Sequence, residues 1–354
     1  MHIILLTALI ASIAPVQSSV ANRQPELASA PGMTALVFGS GQSIWFSASH
    51  DSGANFSRPI EVTHVPVLAL GRHRGPRVNI SGNSIVLTAV AGQTAATGPH
   101  AHGLSQDGNL LAWRSIDRGL SWSEPVAIND VPGSAREGLH AIAASNDGAL
   151  AAIWLDLRAP GTRLYGAFSG DHGASWSKNV LLYKSPSGTI CQCCDPAIVF
   201  TGRNRVDVMF RDVVEGSRDM HLLTWQFNGP ISDAKKLGTG SWHINACPMD
   251  GGGLAHRGGK TFTAWRRDDT VYLYQPGKAE IPLGRGKDVS LALTRKGPDV
   301  IWTGPSGIEL WESGATKPTT LSTTGAFPTL LTMPDGSALA AWEDHGSIEI
   351  ARVP

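Results

Sequence analysis

Four cysteines fall in two short segments, Ile190-Cys191-Gln192-Cys193-Cys194-Asp195-Pro196 and Asn245-Ala246-Cys247-Pro248-Met249-Asp250. Thiols gathered this way do one of two kinds of chemistry. In an oxidising compartment they pair as disulfides. As thiolates they hold a soft metal, copper or zinc, here with His243, Met249 or His140 assisting. The disulfide reading ties Cys247 to the group of Cys191, Cys193 and Cys194 and leaves a second pair inside that group. The spacing matches no standard zinc pattern, and both readings stay open at this level.

Charged groups collect beside the same kind of apolar segment along the chain. They are Arg72, His73, Arg74 and Arg77, with His100 and His102; Arg136, Glu137 and His140; Asp156 and Arg158; Arg211, Asp212, Arg218 and Asp219; His243, Asn245 and Asp250; and Arg266 with Arg267. Such groups cost free energy to bury alone, so each needs a partner or a ligand. Guanidinium forks match carboxylates, which makes Arg77, Arg158, Arg211, Arg218 and Arg266 candidates for an anionic ligand, with His140, Asp219 and Asp250 as further contacts. The alternative use is a set of Arg–Asp pairs stitching neighbouring elements, with Arg211-Asp212 and Arg218-Asp219 as members. Residues after position 284 offer few such groups, so the expected site leans toward the middle of the chain.

Short strands must position these groups. The segments Ser49-His50-Asp51-Ser52-Gly53-Ala54-Asn55-Phe56, Ser115-Ile116-Asp117-Arg118-Gly119-Leu120-Ser121-Trp122 and Ser169-Gly170-Asp171-His172-Gly173-Ala174-Ser175-Trp176 share the form Ser-x-Asp-x-Gly-x-x-aromatic. The Asp accepts from its own turn's amides, the Gly takes a positive φ, and the aromatic folds back over the turn. Repeat units start near Glu26, Pro76, Leu139, Asp195, Pro248, Asp288 and Phe327. Second strands recur at Ser84 to Val90, Leu150 to Leu155, Val206 to Arg211, Thr261 to Arg266, Asp299 to Thr303 and Ser337 to Trp342. The alternation and turn punctuation predict an all-β chain of four-stranded antiparallel units, seven by count and six as the alternative, with no amphipathic helix. The last unit ends after three strands, and Val20 to Gln24 is expected to supply the fourth and close a ring.

The repeated turn is the Asp-box, and the chain resembles the sialidase-like, Asp-box (BNR-repeat) β-propeller superfamily. Arg136 to His140, Trp154 to Arg158, Cys191 to Pro196, Ser217 to Met220 and Asn245 to Gly252 also resemble a group of bacterial exported sialidase-family proteins. The resemblance implies a single propeller, its ligand chemistry at one mouth of the central channel. It further implies a carboxylate held by arginines such as Arg77, Arg211 and Arg266, with Glu137 and Asp156 in acid/base roles. The family's nucleophile is a tyrosine late in the chain, and Tyr165, Tyr183, Tyr272 and Tyr274, the four present, all lie earlier. The expected function is an exported glycoside hydrolase or lyase acting on an anionic glycan. The alternative is a non-catalytic propeller that binds a glycan, a protein or a soft metal at its Cys/His/Arg-rich mouth.

Composition agrees with this class. The 354 residues include 40 glycines and 11 tryptophans, and the formal net charge is zero. No basic, aromatic-interleaved stripe points to nucleic acid, and no later apolar run reaches the length of a membrane span. The apolar run Ile3 to Ala14 reads as a secretory leader ending near Ser18 or Ala21, which places residues 22–354 in one propeller domain in the periplasm or medium.

Overall fold

A strand flanked on both faces by other sheets has no solvent side, so its residues are mostly apolar. Leu150–Asp156 and Ser84–Gly92 are buried along their whole length for this reason. In the computed structural model, which describes residues 9–98, 101 and 103–353, such strands build seven antiparallel sheets arranged as the blades of a β-propeller. The inner strands are Asn22–Ala30, Arg77–Ser81, His140–Ala144, Ala197–Gly202, Gly252–Arg257, Lys287–Leu293 and Ala326–Thr332. Each touches the next, and the last returns to the first. Trp113, Trp154, Trp225, Trp265, Trp302 and Trp342 are fully buried, one in each of blades 2 to 7, and dominate the packing between blades.

The ring is closed by the N-terminal segment, as expected, but through other residues. Leu9–Ile13 pairs with Ser347–Val353 as the outer strand of blade 7, in the register Ser12 to Glu349 and Ile13 to Ile348. Val20 to Gln24 cannot do this, because Asn22 and Arg23 already pair with Ser40 and Gly39 inside blade 1. The buried Asn22 amide donates to the carbonyls of Ile13 and Ala14 and fixes the join. The closing strand therefore comes from within the segment expected to be a leader.

The three Ser-x-Asp-x-Gly turns join third to fourth strands in blades 1, 2 and 3. In each, the Ser hydroxyl donates to the Asp and accepts from the Gly amide, as in Ser115 to Asp117 at 2.8 Å and Gly119 to Ser115 at 2.8 Å. The Asp carboxylate accepts from the backbone amide four residues after it, as Asn55 to Asp51 and Ser121 to Asp117, both at 2.9 Å. The Asn55 and Ser121 side chains donate to the same carboxylates and, with these bonds, hold Asp51 and Asp117 down at about 2.

Inner strands enter the channel through irregular backbone. Bulges interrupt the register between Arg23 and Glu26, Lys287 and Ser290, and Ala326 and Thr329. Each bulge holds a non-glycine residue at positive φ: Gln24 at 53°, Asp288 at 57° and Phe327 at 52°. Blade 2 reaches the same end differently. Val67–Leu68 and Arg77–Ser81 both pair with Ser84–Gly92, and the excursion between them carries Arg72 and His73, also at positive φ. Bulges re-aim side chains, and here they aim them at one end of the channel.

Candidate functional site

At that end lies a cavity of about 250 Å³, lined by Gln24, Glu26, His73, Arg77, Asp195, Asp288 and Phe327 among others. Arg77 is its centre. Its Nη2 lies 3.4 Å from Asp195 Oδ2, its Nε lies 3.8 Å from Glu26 Oε2, and Nη2 also donates to the His73 carbonyl at 2.6 Å. His73 crosses the mouth from blade 2 to blade 6, with Nε2 3.0 Å from Asp288 Oδ1 and 3.9 Å from Asp250 Oδ1. The Asp288 amide donates to Asp250, and Arg266 sits 3.6 Å from the other Asp250 oxygen. The Phe327 ring meets His73 edge-on at 5.3 Å.

The electrostatics follow from burial. Burial raises Glu26 and Asp195 above the usual carboxylate range, and Arg77 only partly offsets it. Burial likewise raises Asp250, with His73 opposing. For His73, burial opposes the charged form, yet the Asp288 hydrogen bond and the surrounding carboxylates raise it. Among the described residues, buried Asp195 Oδ1 and Asp288 Oδ2 have no hydrogen-bond partner. The mouth thus combines carboxyls raised by burial, a guanidinium and unused acceptors, a set suited to a hydroxyl-rich ligand and to proton transfer.

The residues expected from sequence divide into groups. Arg77, Asp250 and Arg266 belong to the mouth cluster. Glu137 lies beside it, 3.7 Å from Arg74, and burial raises its carboxyl. Asp156 does not face the channel. It is fully buried, and its oxygens accept from Trp154 Nε1 at 2.8 Å and from both Nε and Nη2 of Arg158. Arg158 continues to Asp130 and Asn179 and lies over the Tyr165 ring, so this pair stitches blade 3 to its neighbouring loops. His140 is also fully buried, with Nε2 3.0 Å from Thr88 Oγ1, which removes it from direct ligand contact. Arg211 is buried too and donates to the carbonyls of Arg218 and Arg266. Asp219 accepts from the Trp242 amide and pairs with Lys236 at 3.1 Å. His100 and His102 lie outside the described residues.

The cysteines gather beside the mouth. Cys193 and Cys247 form a disulfide across a sequence separation of 54, joining blade 4 to the segment that enters blade 5. Cys191 and Cys194 stay unlinked, with sulfurs 2.7 Å apart and both buried. Arg218 Nη1 lies 3.3 Å from Cys191 Sγ, and Met249 packs against the group. His243 turns to Ser217 at 3.2 Å. With two of the four sulfurs bonded to each other, a four-thiolate centre does not form. The four tyrosines are committed elsewhere: Tyr183 donates to Asp212 at 2.7 Å, Tyr165 and Tyr272 lie under Arg158 and Arg267, and Tyr274 packs on Trp265.

Glu26, Asp288 and Phe327 were not among the expected site residues, and the late blades were expected to contribute little. Their signal lay in the Gln24-Pro25, Asp288-Val289 and Phe327-Pro328 pairs, where a bulge replaces regular pairing. A bulge is a property of the strand pair, so one strand's sequence does not disclose it.

No protein-family model matches this sequence, and no curated protein matches it by sequence. Comparison of folds does find relatives. A Penicillium chrysogenum α-L-arabinanase, solved with arabinobiose, is 11% identical at a TM-score of 0.58, covering 98% of each chain. An intramolecular trans-sialidase from Ruminococcus gnavus, solved with oseltamivir carboxylate, is 11% identical at a TM-score of 0.55, covering 97% of this chain and 96% of that one. An ulvan lyase bound to a glucuronate-rhamnose sulfate unit is 10% identical at 0.54, covering 98% and 95%. The chain therefore shares the β-propeller fold of these three structures.

Proposed function

We propose that this protein is an exported glycan-active enzyme, a hydrolase or lyase acting on an anionic glycan at the channel mouth. The observation that carries the reading is the Arg77 cluster: one guanidinium held between Glu26 and Asp195, both with raised carboxyls, on the wall of a cavity with unused acceptors. Arg77 and Arg266 supply positive charge for a substrate carboxylate. Asp195 is assigned as proton donor, because burial raises its carboxyl, and Glu26 or Glu137 takes the complementary role. The fold relatives act on or bind saccharides, which supports a sugar ligand. The Cys193–Cys247 bridge supports an oxidising compartment outside the cytoplasm.

A panel of arabinan, uronate-containing and sialylated glycans, assayed for new reducing ends and for the unsaturated product of elimination, tests this. Activity on an anionic member is expected, falling about 100-fold or more in Asp195→Asn. Activity that persists at full rate in Asp195→Asn and Arg77→Ala removes the mouth from the mechanism. The second reading, a propeller that binds glycan without turnover, is favoured by the commitment of all four tyrosines to packing. Saturable binding of a glycan that is never cleaved supports it.

A further inference from the structure

The sulfur cluster holds more than a structural bridge. Cys191 Sγ stands 2.7 Å from Cys194 Sγ and 3.6 Å from the Sγ of Cys193, a member of the disulfide. A thiolate beside a disulfide sulfur is the group from which exchange starts. The opposite end of the bridge differs in its surroundings. Cys191, Cys193 and Cys194 are buried, whereas Cys247 is exposed, so a leaving thiolate there is met by solvent.

We propose that Cys191 opens the Cys193–Cys247 bridge by intramolecular thiol–disulfide exchange, making the cluster an internal disulfide relay that unlatches blade 5's entry segment from blade 4. In the first step the Cys191 thiolate attacks Cys193 Sγ; the Cys191–Cys193 bond forms, the Cys193–Cys247 bond breaks, and Cys247 leaves as a thiolate. In the second, the Cys194 thiol gives up its proton, which the Cys247 thiolate takes up through solvent, and Cys194 attacks Cys191. The Cys191–Cys194 bond forms, and Cys193 leaves. One disulfide and two thiol equivalents are present before and after, so no outside oxidant or reductant is consumed. The bridge has moved from between blades to within one Cys-x-x-Cys loop.

The surroundings favour the first step. The hydrogen bond from Cys194, with the charges of Arg211 and Arg218, holds Cys191 below the ordinary thiol value, while burial pushes Cys194 up. Cys191, which stands beside the disulfide sulfur of Cys193, is thus the attacking group and Cys194 the resolving one. The released segment carries Met249, at a positive φ of 51°, and Asp250, which holds the Asp288 amide and Arg266 at the mouth. Bridge position is thereby coupled to the shape of the cavity.

Native-state trapping tests the relay. Iodoacetamide is added to the folded, full-length protein without reductant, and tryptic peptides 185–203 and 237–257 are then read by mass spectrometry. The original bridge links the two peptides. Exchange is expected to yield alkylated Cys247 in a separated 237–257 peptide, with a rate that rises as Cys191 ionises. Cys191→Ser is expected to slow this labelling about tenfold or more. Cys194→Ser stops the relay after its first step, so its labelled chains should carry a Cys191–Cys193 bridge, a readout independent of how well Cys191→Ser folds. The proposal is overturned if Cys247 stays unlabelled while Cys191 and Cys194 titrate as thiols on unfolding. Equal labelling of parent and Cys191→Ser overturns it too, as does a native protein with two disulfides or with a stoichiometric soft metal.

Discussion

His140 is the residue whose charged form the fold opposes most plainly. Burial, with Arg77 nearby, holds it down at about 3. Its folded value is below its unfolded one, so the unfolded chain takes up a proton near pH 6.5 that the folded chain refuses until near pH 3. The stability contributed by a neutral His140 is present above pH 6.5 and is lost as pH falls through that window, by on the order of 4 kcal/mol. Glu26, Asp195 and Asp250 act in the opposite direction, because raised carboxyls favour the folded state as pH falls. The His140 part is isolated by comparison. Unfolding free energies of the parent and His140→Gln, measured in denaturant from pH 7 to pH 4, should converge or cross in favour of the variant at low pH. Parallel curves would show that His140 is not buried as described. The sequence offered His140 as a ligand-binding group; that it lies beneath the site, against Thr88, is a matter of depth that residue type does not encode.

Elements were the most legible level. The Ser-x-Asp-x-Gly turns and the strand entries were readable because each depends on a few adjacent residues. Gly119 shows what the turn demands. It sits at a φ of 88°, and an added Cβ would run into the Phe46 ring of blade 1. Gly32 sits at 79° with open space around it. Gly32→Ala should cost about 1 kcal/mol from backbone strain alone, and Gly119→Ala about 2–4 kcal/mol from strain plus a buried clash. Thermal or denaturant unfolding of the two variants checks the difference, and equal costs would mean that this turn does not pack on the neighbouring blade. The bulges were not legible, for the opposite reason. Asp288 and Phe327 reach the mouth only because Lys287–Leu293 and Ala326–Thr332 slip register against their partners, a relation between two strands.

At the scale of the whole molecule, the propeller is held by two long-range ties. One is the bridge between Cys193 and Cys247, which closes a loop of 54 residues and by chain entropy contributes about 4 kcal/mol. Cys247→Ser should lower the melting temperature by several degrees, and an unchanged value would show that the bridge does not constrain the unfolded chain. The other is the closure of blade 7 by Leu9–Ile13, without which Ser347–Val353 is an open edge. Removing residues 1–18 should lower the melting temperature and increase association between chains, and unchanged melting would show that the ring does not depend on this strand. The ring was readable from the repeat, but its closing residues were not, since an apolar run serves equally as leader or edge strand. On the proposed function, the bulged entries and the His73 crossing build a glycan site around Arg77. The most direct measurement is a crystal structure of the protein soaked with an anionic oligosaccharide that it binds. Sugar density in the mouth cavity, within hydrogen-bond distance of Arg77 and Asp195, is the predicted result, and an empty mouth with the sugar bound elsewhere would contradict the account.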